Sequence, residues 1–321
     1  MFTIRPFEKT DKDYEGFVAV KNAAWPDEPT TVKIARHNDN DQNPKYLHQR
    51  YLVETTDKQI IGEGGTWESQ WSYIAGKYNI NFDLHPDWQN KGVEQQLYDH
   101  ILKFLNNRDL KPIILDSFTR ADKEPRMQFL ESQGFQVIQR ENVSVLDVQD
   151  YDFGRFPDAH QRVLDQDIEL LTLTELRDRD PDWMQKYYDL IIPIDRDIPS
   201  PDEQTPQGIE ELAKDFKHPC FLPDGHFIAV DNGQWVGLSS LWKDDVRTDR
   251  IWVGLTGVLR SHRRRGIAKA LKLLTFKYAQ ARNARYIETG NEENNPMYDL
   301  NVQLGFTPKP QWLEYRNNLK D

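Results

Sequence analysis

The order of elements that residue pattern assigns to Ile168–Arg316 is already present between Phe2 and Phe135, and this doubling constrains the fold more than any other feature. In the first half, Phe2–Arg5 reads as a strand and Asp11 to about Ala24 as a helix, capped by Thr10 or Asp11. An Asn-rich stretch, His37–Pro44, is expected to interrupt a second helix that resumes near Tyr46. Strands follow at Tyr51–Thr55, Gln59–Trp67 and Lys77–Leu84. Val93, Leu97, Ile101 and Leu105 then recur every four residues, as one face of a helix requires. A strand at Pro112–Asp116, a helix at Glu124–Ser132 and Gln133-Gly134-Phe135 complete the half. In the second half, Ile168–Thr172 reads as a strand, Pro181–Ile192 as a helix and Gly208–Phe216 as another, after a Pro-rich loop at Ile198–Pro206. Strands at His226–Asp231 and Trp235–Leu241 are joined by the hairpin signal Asp231-Asn232-Gly233. A strand at Arg250–Val258, a helix at Gly266–Asn283, a strand at Arg285–Thr289, Leu304-Gly305-Phe306 and a strand near Trp312–Arg316 follow. The 321 residues therefore divide into two expected domains, 1–150 and 151–321, joined by a linker within Asp150–Asp167.

The segment Thr256-Gly257-Val258-Leu259-Arg260-Ser261-His262-Arg263-Arg264-Arg265-Gly266-Ile267-Ala268 carries the chemistry. It turns a strand into a helix whose first N–H groups are unpaired and carry roughly half a positive charge. Cations are unfavourable there unless an anion joins them, so four arginines at that end imply a phosphate-like ligand. Gly266 and Ala268 keep the first turn open to close backbone approach.

The order strand, Arg263-x-x-Gly266-x-Ala268, helix, strand, Asn291-x-x-Asn294, helix, Leu304-Gly305-Phe306 closely resembles the GNAT N-acetyltransferase superfamily. The resemblance implies an α/β (α+β) fold, two tandem domains each with a central mixed, mostly antiparallel β-sheet flanked by helices. It also implies direct acetyl transfer from acetyl-CoA, as co-substrate, to an amine. Backbone groups of Val258, Leu259 and Arg260 would then pair with the pantetheine arm, and an amide near Val258 would face the carbonyl oxygen. Amides of Arg265, Gly266, Ile267, Ala268 and Lys269 would hold the pyrophosphate, with the Arg263 and Arg264 side chains nearby. Asn294 matches a position that contacts the arm, although it also suits a helix cap. Where many members carry an acidic Tyr, this chain has Asn301, with Tyr298 one helical turn away. A base is less evident: a water ordered by Thr256, or Glu288 on the next strand, are the candidates, and His262 is expected to be exposed. In the first half, Gln89-Asn90-Lys91-Gly92-Val93-Glu94 occupies the equivalent loop, with Glu94 where Gly or Ala is wanted. That half is expected to be degenerate for CoA, and the second to be catalytic.

Composition narrows the alternatives. Net charge is −11, which opposes nonspecific nucleic-acid binding and mildly favours cationic acceptors. A single cysteine, Cys220, excludes an internal disulfide or a cysteine-based metal cluster, no metal is expected, and a reducing cytoplasm fits. No apolar run approaches a membrane span's roughly 18 residues, and the first ten residues lack a signal peptide's apolar core. The expected acceptor is a small-molecule or peptide amine. The loop Asp195–Glu203, with Asp195, Asp197, Asp202 and Glu203, is expected to border its site in a monomer or homodimer. The alternative is a noncatalytic acyl-CoA-binding regulatory module. A nucleotide ligand is disfavoured, since no lysine-bearing phosphate loop or dinucleotide glycine triplet is present.

Overall fold

The computed structural model describes residues 1–319, and the chain forms two compact units. The first comprises Met1–Arg140, Pro201–Thr205 and the residues from Gln311 onward. The second comprises Glu141–Ser200 and Pro206–Pro310. The division thus differs from a single cut after residue 150, because strands at both junctions belong with partners distant in sequence.

In the first unit the order is β1 (Phe2–Pro6), α1 (Asp11–Ala24), α2 (Val32–Asn40), β2 (His48–Thr55), β3 (Ile60–Trp67), β4 (Lys77–Leu84), α3 (Val93–Asn106), β5 (Ile114–Arg120) and α4 (Glu124–Ser132). Next come β6 (Gln136–Asp147), α5 (Gln161–Leu164), β7 (Ile168–Thr172), α6 (Leu173–Arg179), α7 (Trp183–Asp195), α8 (Ile209–Asp215), β8 (Phe221–Asp231), β9 (Gln234–Lys243), β10 (Arg250–Val258), α9 (Ile267–Ala281), β11 (Tyr286–Glu292), α10 (Met297–Leu304), β12 (Thr307–Pro308) and β13 (Trp312–Asn318). The first unit's sheet runs β1-β2-β3-β4-β5-β13, with only β4 and β5 parallel. The second runs β6-β11-β10-β9-β8-β7, with only β10 and β11 parallel. β13 pairs with β5 from Trp312↔Arg120 to Asn318↔Ile114, and β6 pairs with β11 from Asp147↔Tyr286 to Glu141↔Glu292.

Local chemistry explains most element boundaries. The Thr10 hydroxyl accepts from the Asp13 amide to open α1, as the cap pattern predicts. α2 lies earlier than expected: Thr31 caps it through the Ile34 amide, and the segment from His48 is a strand, not a resumed helix. The Asn and Asp residues at 38–40 are tolerated because Asp39 is buried against the Tyr14 hydroxyl (2.6 Å) and Arg50 (2.8 Å). The helical face Val93, Leu97, Ile101 and Leu105 is fully buried against the first sheet with Tyr78, Ile80 and Phe82. On α9, Ile267, Ala270 and Leu271 pack against Val236 and Val258. Among the described residues, no helix is long and apolar enough to cross a membrane.

A buried ionic knot ties the segment 201–205 to the first unit. Lys77 on β4, 2% exposed, donates to Asp202 (2.7 Å). Arg316 on β13 holds Asp116 on β5 and Asp202 together, each through two nitrogens. Removing one member leaves buried charge uncompensated, which costs about 3–5 kcal/mol. Asp202→Ala is therefore expected to lower stability by about 3 kcal/mol in chemical denaturation, whereas the same change at the exposed Asp57 is expected to be near neutral.

Candidate functional site

The parallel pairing of β10 and β11 runs from Arg250↔Tyr286 to Trp252↔Glu288 and then ceases, so the strands part into a cleft. On its other edge β10 stays paired with β9, with a register shift between Val253 and Thr256. The Ser240 hydroxyl accepts from the Leu255 amide (2.9 Å) at that bulge. Backbone polar groups on the cleft side of β10 thus lack a strand neighbour beyond Trp252, and require another partner.

At the end of β10 the chain turns through Arg260–His262 into α9. Arg264 (φ 65°) and Gly266 (φ 86°) are both left-handed, which curls successive amides toward one concavity at the helix N-terminus. No side chain caps that helix, and a Cβ built on Gly266 would meet nothing closer than Val163 at 3.9 Å. The concavity is open. The arginines divide their work: Arg260 and Arg263 both hold Asp197, and their hydrogen bonds, Arg260 foremost, keep the Asp197 carboxyl below its usual range. Arg263 also donates to the Val258 carbonyl (3.1 Å). Arg265 is tied to Asp231 (2.9 Å) and Gln166 (3.0 Å), and His262 sits 3.3 Å from Asp231. Arg264 is exposed and makes no ion pair among the described residues.

Residues 184–306, which contain this cleft and loop, match the acetyltransferase (GNAT) family model. These residues form a GNAT acetyltransferase domain. No curated protein matches the sequence. Among solved structures, the chain is similar to a tandem GNAT protein from the clavulanic acid biosynthesis pathway, at 17% identity, TM-score 0.76 and 100% coverage of both chains. It is also similar to a GCN5-related N-acetyltransferase from Sphaerobacter thermophilus, at 16% identity and TM-score 0.70, covering 100% of this chain and 96% of that one. The whole chain therefore has a tandem GNAT fold, and its C-terminal GNAT domain is an acyltransferase.

The GNAT domain's expected proton-handling residues are placed unevenly. Glu288 points inward at 3% exposure but is held by Lys309 (3.0 Å through both oxygens) and by buried Arg250 (3.5 Å). Both of its oxygens thus have a structural partner. Asn301 is fully buried and donates to Asn291 on β11 (2.7 Å), while Tyr298 on the same helix is half-buried. The Thr256 hydroxyl shares a hydrogen bond with Ser239 (2.9 Å). Asn294 is exposed, and its alternative role as a cap falls instead to Asn295, which accepts from the Met297 amide (3.0 Å). The Leu259 amide donates to Val236 in the sheet (2.9 Å), Ile267 is buried, Ala268 is partly buried, and the Lys269 ammonium lies over Phe156 (4.7 Å).

One carboxyl stands out, which the sequence reading puts in the loop bordering the acceptor site and the structure puts at the end of a helix. Asp195 ends α7 beside Ile194, whose side chain packs on Gly257 of β10 so tightly that no Cβ would fit there. Burial, and then the neighbouring Asp215, push its carboxyl up to about 6.

The first unit repeats the backbone and changes the side chains. β4 and β5 pair only from Lys77↔Ile114 to Asn79↔Asp116, and Asn90 (φ 57°) and Gly92 (φ 76°) reproduce the left-handed alternation before α3. Here Glu94 folds back and accepts from the Asn90 amide (2.9 Å), so a carboxylate already occupies the concavity. Arg126 of α4 donates to the Phe82 carbonyl on β4 (2.8 Å) and stacks on the Phe82 ring (3.6 Å). Counting back from Gly134 and Gly305, the second unit has Met297 at the position of Arg126.

Glu288→Gln is expected to lower stability by about 2–3 kcal/mol through its lost charged hydrogen bonds, while leaving the acid limb of the activity–pH profile where it is. A shifted limb would make Glu288 a proton acceptor instead.

Proposed function

We propose that the C-terminal GNAT domain transfers an acetyl group from acetyl-CoA to a primary amine of a small molecule or peptide. The observation that carries this reading is the open concavity formed by Arg264 and Gly266 at the uncapped N-terminus of α9. Its fit to a phosphate is supported by its twin, since the same backbone turn in the first unit already binds the Glu94 carboxylate. Amides of Arg265 to Lys269 and the exposed Arg264 would hold the pyrophosphate. The free edge of β10 beyond Trp252, with Val258 and Arg260 near its end, offers an extended thioester arm the hydrogen bonds a strand would make.

When bound, the thioester supplies an activated acyl carbon. From the protonated amine one proton leaves before attack; the nitrogen then forms the C–N bond as the C–S bond breaks, a second proton leaves nitrogen, one is taken up at sulfur and the other goes to solvent. Asp195 is the residue of this chain suited to the first proton. Its carboxyl, with Asp215 close by, attracts a protonated amine, and a value near 6 lets it accept a proton around neutrality. Ile194 fixes its height against the middle of β10. Tyr298 and Asn301 on α10 are the candidate groups for the sulfur, with Tyr298 able to donate and Asn301 able only to hydrogen-bond. Positioning both substrates supplies much of the remaining rate. The acceptor is a small-molecule or peptide amine rather than nucleic acid, as the net charge of −11 favours.

Gly266→Glu puts bulk and negative charge into the concavity and is expected to weaken acetyl-CoA binding by about 100-fold or more in calorimetry. Gly266→Ala, which carries the same backbone strain without the charge, should lose far less. Glu94→Ala should leave acetyl-CoA affinity nearly unchanged. Equal losses from Gly266→Glu and Glu94→Ala would refute the division of labour between the halves.

The pH dependence has a definite sign. Asp195 must be ionised to accept a proton, so kcat/KM should rise with pH through about 6 and level off above it. Asp195→Asn is expected to lower kcat/KM by about 10²-fold and to abolish that limb. A profile with its limb intact in Asp195→Asn would rule the residue out as the base.

A further inference from the structure

The cleft of the first unit is not filled by its two internal side chains. Beside Glu94 and Arg126 lies a cavity of about 420 Å³, bounded also by Trp25, Phe82, Asp83 and Lys123. That volume lies in the range of small-molecule sites, roughly 300–1,000 Å³. Its wall is aromatic, and its charges are of both signs. Asp83 holds the Trp25 indole (2.7 Å) and Lys21 (2.7 Å) from within the sheet. Glu94 is fixed by one oxygen on the Asn90 amide. The Lys123 ammonium donates to the Ala24 carbonyl (2.8 Å) and lies 4.6 Å from the centre of the Trp25 ring. Arg126 is held flat on Phe82, within the field of Asp83, Glu63 and Glu94.

These side chains are fixed by partners on the protein, so the cavity presents a preorganised pattern rather than loose surface charge. A pyrophosphate entering it meets two carboxylates, Glu94 on the Asn90 amide and Asp83. A simple cation meets Lys123 and Arg126. A molecule carrying both charges a few ångströms apart meets groups of both signs on one wall, and its apolar part meets Trp25 and Phe82.

We propose that the N-terminal cleft binds a small zwitterion of the α-amino-acid type, carboxylate toward Lys123 and Arg126, ammonium toward Glu94 and Asp83. The site holds its ligand and does no chemistry on it. This does not depend on acetyl transfer in the other half.

Isothermal titration of the full chain with L-leucine and L-phenylalanine tests it, alongside N-acetyl-L-phenylalanine, L-phenylalanine amide and CoA. At least one free amino acid is expected to bind one per chain, with the acetylated and amidated forms at least tenfold weaker. Glu94→Gln and Arg126→Met should each weaken binding at least tenfold, and Gly266→Glu should leave it unchanged. Glu94→Gln keeps an acceptor for the Asn90 amide, so it carries the test if Arg126→Met fails to fold. Three results overturn the proposal: no heat with either amino acid, binding lost in Gly266→Glu but kept in Glu94→Gln, or CoA displacing the amino acid from the Gly266→Glu protein. Loss of acetyl-CoA binding in Gly266→Glu concerns only the other half, so failure of either reading is separately visible.

Discussion

The parting of two parallel strands governs each unit. β10 and β11 share three residue pairs, as do β4 and β5, and beyond them one edge of each strand has amides and carbonyls with no neighbour. A buried backbone group left unpaired costs about 1–3 kcal/mol, so a split sheet is stable only if something else approaches that edge. In the first unit the chain itself does so, through the Arg126 guanidinium on the Phe82 carbonyl. In the second, Met297 stands at the equivalent position and offers no donor from its side chain. The open edge receives a side-chain donor at Phe82 in the first unit, and the equivalent helix position in the second offers none.

The same division recurs at the helix N-termini. Both loops have a left-handed residue two positions before a left-handed glycine, so both aim amides into one concavity. Glu94 takes up the Asn90 amide in the first, and the second is left uncapped beside the exposed Arg264. Two backbones of one shape thus acquire opposite electrostatic character through residues at a handful of positions. The GNAT fold accommodates this because amide geometry is set by φ and ψ, while occupancy is set by side chains projecting from the next helical turn.

The hairpin at Asp231–Gly233, the α3 face and the loop-to-helix turns at Gly92 and Gly266 were legible because each is a local pattern with a local cause. The exchange of last strands was not. β6 reads Gln-Val-Ile-Gln-Arg-Glu-Asn-Val-Ser-Val-Leu-Asp, too polar to announce a strand, and its partner β11 lies some 140 residues further on. β13 reads as a strand, but its place in the first sheet lies in its pairing with β5 and in Arg316 meeting Asp116 and Asp202, contacts between segments distant in sequence. The same limit applies in the active half. Glu288 and Asp195 are both carboxylates near the cleft, and only packing separates them. Arg250 and Lys309 neutralise the first, whereas Asp215 and burial leave the second hard to ionise.

Under the proposed reaction, that separation decides which carboxylate could carry acid–base chemistry without a dedicated motif. A carboxylate held by two cations is a fixed acceptor whose oxygens are already committed to partners within the protein. A carboxyl beside another carboxyl, on the helix end that packs against the open strand, keeps its proton affinity high and its position fixed. Ile194 against Gly257 supplies the position, and the glycine is required because no Cβ fits beneath that side chain. The contact that sets the spacing between α7 and β10 therefore also sets where Asp195 stands, and substitution at Gly257 would disturb both at once.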